Sequence, residues 1–236
     1  MIKKYNNAPI TEALCEFSFA SQQDWDWTIP GLIYERIKVD YPKKKQVQQH
    51  TVELNINEDG MKNPSPVEIG ISKMQFFKED ESSLVQIAPN VLVINQLKPY
   101  PGWKVFKEQI DKMLSLYESV ASPEGINKIG VRYINNFSFD EDITISEYFN
   151  IKPSYPLSRE SKSFLMRNDL LYEECKSVLN LIMAKKPDDK SIILDFNFTT
   201  DQMNLDNATQ WIEEAHYNIE EAFEACLTSN LREIIE

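Results

Sequence analysis

The chain of 236 residues holds two histidines, three cysteines and six glycines, so its stock of groups for nucleophilic, metal-assisted or phosphate-cradling chemistry is short. A Ser-His-Asp or Cys-His arrangement would have to recruit His50 or His216 across the fold. His50 sits among Gln48, Gln49 and Thr51 and reads as a surface residue of a polar strand. His216 is better placed, because Glu213-x-x-His216 and His216-x-x-x-Glu220 put a carboxylate one turn to either side on one helix face. Di-iron bundles need the Glu-x-x-His pair twice, with further carboxylates from other helices. Here it occurs once, so no metal or cofactor is expected and the face reads as solvated. Gly-x-Gly-x-x-Gly, the phosphate loop and Gly-x-Ser-x-Gly are all missing, which argues against a nucleotide cradle or a nucleophile elbow.

Charges inside apolar strands are the next candidates. Glu16 lies between Cys15 and Phe17, and Arg132 between Val131 and Tyr133. Their apolar neighbours offer few partners, so the expectation is a cross-strand ion pair between Glu16 and Arg132, or else the floor of a ligand site. Gln86, Asn95, Gln96, Asn135 and Asn136 add uncharged polar groups to strands of both halves of the chain, where interior amides mostly satisfy backbone. From Asp206 to Glu236, eight acidic residues face Arg232 alone. Glu213, Glu214, Glu220, Glu221 and Glu224 form the acidic helix face of that segment, a surface for a basic protein partner.

These residues are carried by elements legible from periodicity. Ile10 to Ala20 alternates as a strand, and apolar residues then recur at helical spacing from Trp27 to about Val39, with Pro30 suiting the helix start. Lys45 to Ile56, Val67 to Glu79, Ser83 to Ala88 and Val91 to Leu97 read as four strands of a meander, separated by Glu-Asp-Gly, Glu-Asp-Glu-Ser and Pro-Asn turns. Trp103, Phe106, Ile110, Met113, Leu114, Tyr117 and Val120 then mark an amphipathic helix ended by Ser122-Pro123. The order starts again with a strand at Lys128 to Phe139 and a helical piece at Ile145 to Phe149. Strands follow at Ser163 to Glu174, Ser177 to Lys185 and Ser191 to Thr199, with a Lys-Pro-Asp-Asp turn before the last. Ala208 to Cys226 closes the chain's second half as a long helix.

The reading is α+β: strand, helix, four strands, helix, occurring twice over residues 1–124 and 125–236, with three of the second four strands marked by periodicity, packed as one unit. That order resembles the TATA-box-binding-protein-like folds, in which two such halves join into one curved antiparallel sheet with helices on one face. A closed triphosphate tunnel would need inward Lys and Arg on several strands and a Glu-x-Glu start, which the chain lacks. Should Phe76, Phe77, Phe137 and Phe139 gather on the uncovered face, they would make an apolar patch for a homodimer or a partner.

Twenty-five basic against 37 acidic residues give a net charge of −12 and argue against nucleic acid, whose affinity rests on neutralising phosphates. Three widely spaced cysteines fit reduced thiols rather than a disulfide framework. The start lacks the apolar stretch of a signal peptide, and the apolar runs are too short for a bilayer, so a cytoplasmic, membrane-free protein is expected.

The stretches Pro9-Ile-Thr-Glu-Ala-Leu-Cys-Glu-Phe, Pro30-Gly-Leu-Ile-Tyr-Glu-Arg, Leu84-Val-Gln-Ile-Ala-Pro-Asn-Val-Leu, Asn95-Gln-Leu-Lys-Pro-Tyr-Pro-Gly-Trp103, Ile129-Gly-Val-Arg-Tyr-Ile-Asn135 and Trp211-Ile-Glu-Glu-Ala-His are similar to a sporadically distributed prokaryotic family of proteins without an established activity. The Pro-Tyr-Pro-x-Trp block is the most specific part of the resemblance, which spans nearly the whole chain. It implies one full-length unit, and the patchy distribution suits mobile defence or toxin-neutralising loci. The leading expectation is a non-enzymatic protein-binding module of antitoxin or immunity type. The alternative is an enzyme or sensor that binds a small polar ligand on the sheet around Glu16 and Arg132.

Overall fold

The computed structural model describes all residues except 1–4, 6, 22–24, 52–53, 57–61, 65–67, 155–158, 160 and 188–189, and for 49–51, 54–56, 62–64 and 68–70 the backbone alone. Strands are β1 Ile10–Ala20, β2 Lys43–Thr51, β3 Leu54–Ile56, β4 Lys62–Pro64, β5 Glu68–Phe77, β6 Ser83–Ala88, β7 Val91–Leu97, β8 Gly125–Ser138, β9 Phe164–Tyr172, β10 Ser177–Lys185 and β11 Ser191–Met203. Helices are α1 Thr28–Ile37, α2 Trp103–Ala121, α3 Ile145–Tyr148, α4 Ala208–Cys226 and α5 Ser229–Ile235. The fold is α+β. Nine strands form one open antiparallel sheet in the order β2-β5-β6-β7-β1-β8-β11-β10-β9, and β3 and β4 form a separate ribbon. The expected Glu-Asp-Gly turn lies outside the described residues, as do both aspartates of the Lys-Pro-Asp-Asp turn.

Alternation decides which side of the sheet each side chain takes. On β1, Ala13, Cys15, Phe17 and Phe19 are buried against the helices, and register carries the same side through Ile94 on β7, Val85 on β6, Val131 on β8 and Phe198 on β11. The helices answer with stripes at spacings of three and four: Phe106, Ile110, Met113, Leu114 and Tyr117 on α2, and Ala208, Trp211, Ile212, Ala215 and Ile219 on α4. These residues make one continuous core under both helices. Aromatic contacts tie it together, with Phe19 stacked on Tyr117 at 4.4 Å and Phe198 tilted against Trp211 at 5.8 Å between ring centres. Each such ring removed from water contributes about 1.5 to 3 kcal/mol.

The other side of the sheet carries Gln75, Gln86, Asn95, Glu12, Glu16, Arg132 and Asp195, since each neighbours a core-facing residue in its strand. The apolar patch expected there does not form. Phe76 and Phe137 alternate to the helix side and are buried in the core, Phe137 edge-on to Phe149. At the sheet centre a Cβ on Gly130 would stand 3.1 Å from Thr199 Cγ2, so a larger residue there would have to push the Thr199 side chain aside.

The expected Glu16–Arg132 pair is corrected by the register. Glu16 lies across from Gly130, and Arg132 across from Leu14. Arg132 instead turns to the neighbouring strand and grips Asp195 with both arms of its fork, Nε to Oδ1 at 2.8 Å and a terminal nitrogen to Oδ2 at 2.5 Å. The carboxylate is the buried member, at 8% side-chain exposure against 37% for the arginine. Asp195, with Glu12 and Glu16 acting at longer range, holds the guanidinium above its ordinary pKa. Glu16 remains exposed.

Candidate functional site

The site begins with the segment that ends β7. Pro99 and Pro101 cannot donate to a ladder, so the chain leaves the sheet there. Gly102 then adopts φ 95°, a conformation that favours glycine, and delivers Trp103 as the first residue of α2. The block thereby hangs Tyr100 and Trp103 beside the helix-side surface of β8, where Tyr133 and Asn135 project, opposite the inner stripe of α4.

Trp103 stacks on His216 with ring centres 3.9 Å apart and planes 17° from parallel, and its Nε1 donates to Glu213 at 2.8 Å. His216 Nε2 faces Glu220 Oε1 at 3.2 Å, and Nδ1 faces the Tyr133 hydroxyl at 3.1 Å. In the neutral imidazole whose Nε2–H donates to the carboxylate, Nδ1 is the acceptor and Tyr133 the donor. The Tyr133 oxygen then accepts from Tyr100, 3.2 Å away. A directed chain results, Tyr100 to Tyr133 to His216 to Glu220. Burial pushes both phenols above the ordinary tyrosine range, so they act as neutral donors rather than as nucleophiles or bases.

This chain forms one wall of a cavity of about 550 Å³. The remaining walls come from Tyr5, Ala8 and Pro9 ahead of β1, from Ile219, Phe223 and Glu224 on α4, and from Lys104. Tyr5 donates its hydroxyl to Glu224 at 2.6 Å, and Arg232 of α5 reaches the same carboxylate at 3.0 Å. Burial, and then the neighbouring Glu224, push the Tyr5 phenol up to about 12. Rings dominate the lining and a few polar groups converge on it, which is the composition of a small-molecule site. Among the described residues no group of three His, Cys, Asp or Glu side chains could hold a metal ion.

The polar strand residues divide between the faces. Gln86 and Asn95 belong to a ladder across the open face: Gln75 donates to Gln86 at 2.9 Å, Gln86 to Asn95 at 2.9 Å, and Asn95 to Glu12 at 2.6 Å. Each amide spends its hydrogen on the next strand, and the ladder ends on a carboxylate. Asn135 alone of that set lines the cavity, with its amide donating to the Leu194 carbonyl at 3.2 Å. Gln96 is buried on the helix side and donates to the Ser82 carbonyl at 2.8 Å, while Asn136 is exposed.

The acidic face divides too. Glu213 holds Trp103, Glu220 holds His216 and Glu224 holds Tyr5 and Arg232, whereas Glu214 and Glu221 are exposed. His216 is buried under Trp103 rather than solvated. The His50 side chain lies outside the described residues. Sequence reasoning missed Tyr5, Tyr100, Trp103 and Tyr133 as site residues. The signal was present in two separate places, the Pro-Tyr-Pro-x-Trp block and the Glu-x-x-His-x-x-x-Glu spacing, and only the fold joins them. No family model matches the chain, and no curated protein is similar to it.

Proposed function

We propose that the protein is a binding module for a small organic molecule, taken into the cavity between residues 99–103, β8 and α4. The observation that carries this reading is the convergence of the Tyr100–Tyr133–His216–Glu220 chain on an aromatic-lined void of about 550 Å³. Two carboxylates, Glu220 and Glu224, stand against the cations Lys104 in the wall and Arg232 behind Glu224, so it is the faces of five aromatic rings beside these carboxylates that favour a flat or alkylammonium body over an anion. The ligand alternative raised by the sequence is retained, and its place moves from Glu16 and Arg132 to the opposite side of the sheet.

The test is differential scanning fluorimetry against aromatic amines, nucleosides and quaternary ammonium salts, with aromatic carboxylates as the contrasting class. Members of the first three classes should raise the melting temperature and the carboxylates should not. A panel that produces no shift, or one led by carboxylates, would contradict the reading.

A protein partner with a basic surface is the second reading, favoured by the outward carboxylates of Glu214 and Glu221 on α4. We also read residues 1–124 and 125–236 as related halves of a tandem saddle. Support comes from the adjacency of β1 and β8 at the sheet centre, and from each half's continuing outward through antiparallel strands and carrying a 19-residue helix after its last strand.

A further inference from the structure

The two edges of the sheet differ in chemistry. One edge, β2, opens with Lys43, Lys44 and Lys45, the charged residues that keep an edge strand from pairing with another chain. The other, β9, is last in the strand order and hydrogen-bonds only β10 among the described strands. It reads Phe164-Leu-Met-Arg-Asn-Asp-Leu-Leu-Tyr172 and exposes Leu165 at 73%, Leu170 at 44% and Leu171 at 66%. A nine-residue edge with exposed leucines toward both ends and Arg167-Asn168-Asp169 at its centre is a template for a further strand.

The order of residues along β9 says which strand. Reversed about Asn168, the sequence matches itself in chemistry: Phe164 meets Tyr172, Leu165 meets Leu171, Met166 meets Leu170, and Arg167 meets Asp169. Directly opposite residues in an antiparallel pair sit on a twofold axis perpendicular to the sheet, so this match is the register of a symmetric dimer. Within one chain Arg167 and Asp169 already face the same side, with Nε to Oδ1 at 3.2 Å, and Asn180 also donates to Asp169. Across the axis each would gain the opposite charge of the second copy.

We propose that the protein forms a homodimer through β9, paired antiparallel with β9 of a second copy in the register that places Asn168 opposite Asn168. The sheet then continues through both copies, with the helices of both on the same side. Leu165 and Leu171 cover each other across the axis, and two Arg167–Asp169 pairs flank it. A single strand pair is a small interface, below about 1,200 Å², so the dimer is a reversible one with dissociation in the micromolar range, roughly.

Sedimentation velocity on the full chain from micromolar to several hundred micromolar tests this. The wild type should pass from monomer to dimer. Arg167→Asp places Asp against Asp169, and Asp169→Arg places Arg against Arg167. Each variant alone should therefore dimerise about tenfold or more weakly. An equimolar mixture of the two restores both opposite-charge pairs and should dimerise again. That recovery requires both variants to be folded, and it distinguishes pairing from simple damage. A wild type that stays monomeric throughout leaves the edge to some other strand and overturns the proposal. So does a dimer that neither reversal weakens, or a mixture that stays monomeric.

Discussion

Polar groups on the helix side of the sheet converge on a void, while those on the open side converge on one another. Tyr100, Tyr133 and the α4 pair His216 and Glu220 come from three places in the chain and are held beside a cavity of about 550 Å³. Gln75, Gln86, Asn95 and Glu12 are held just as firmly, but each hands its hydrogen bond to the neighbouring strand. The Arg132–Asp195 fork is likewise closed on itself. Hydrogen bonding therefore does not separate a site from a scaffold, because both sets of groups are bonded. Available space beside the satisfied groups does.

The open face should respond as scaffold. Arg132→Ala strands the buried Asp195 carboxylate and should lower stability by about 2 to 3 kcal/mol, less than a fully buried pair would lose because water reaches the arginine. Replacing both residues, Arg132→Met with Asp195→Leu, should recover most of that loss in urea melts. Neither change should alter ligand-induced melting shifts.

On the cavity face the balance is reversed. His216→Phe keeps a ring under Trp103 but removes the link between Tyr133 and Glu220, at a cost of about 1 to 2 kcal/mol. It should nonetheless weaken binding of the best panel compound by about tenfold or more. Equal loss of binding in Arg132→Ala would erase the distinction between the faces.

Gln86→Leu breaks the amide ladder in the middle and should cost about 1 kcal/mol by denaturant melts, again without changing the ligand response.

Alkali probes the cavity rim. The fold raises the Tyr5 phenol from its ordinary 10.0 to about 12, so it favours the protonated form. The stability this contributes is present in full below about pH 10 and is lost as pH rises through about 12. Titration at 295 nm should show the phenolates of Tyr5, Tyr100 and Tyr133 emerging later than ordinary tyrosines, and Glu224→Gln should advance Tyr5.

Smallest in effect are the thiols. Burial raises Cys15 and Cys226, the latter to about 11. A thiol reagent at pH 8 should therefore modify the partly buried Cys175 first and the other two only on unfolding. Rapid reaction of Cys226 would mean that the α4–α5 corner opens.

Much of the scaffold was legible because its periods are unbroken. Val91 to Leu97, Ser177 to Lys185 and Ala208 to Cys226 were read with the bounds they have in the structure. Periodicity merges β3 with β2 into one strand and gives no strand at β4, because Lys45 to Ile56 is polar enough to carry no face signal. Alternation shows that Arg132 and Tyr133 take opposite sides of β8, but not which side the helices cover. The Glu16–Arg132 pairing fails on register, since a strand between two neighbours offers partners on both, and Asp195, a charge between Leu194 and Phe196, is marked in the same way as Glu16. The cavity could not be read, because a void is defined by what long-range packing leaves empty.

The proposed division of the molecule is binding in the cavity and scaffold on the open face. Isothermal titration of the best panel compound into Ala8→Trp and into Gln86→Leu measures this directly. The indole at position 8 fills the cavity and should weaken binding by about a hundredfold or more, whereas the ladder variant should bind within about twofold of the wild type. Unchanged binding by Ala8→Trp, with loss in Gln86→Leu, would place the ligand on the open face and contradict the account.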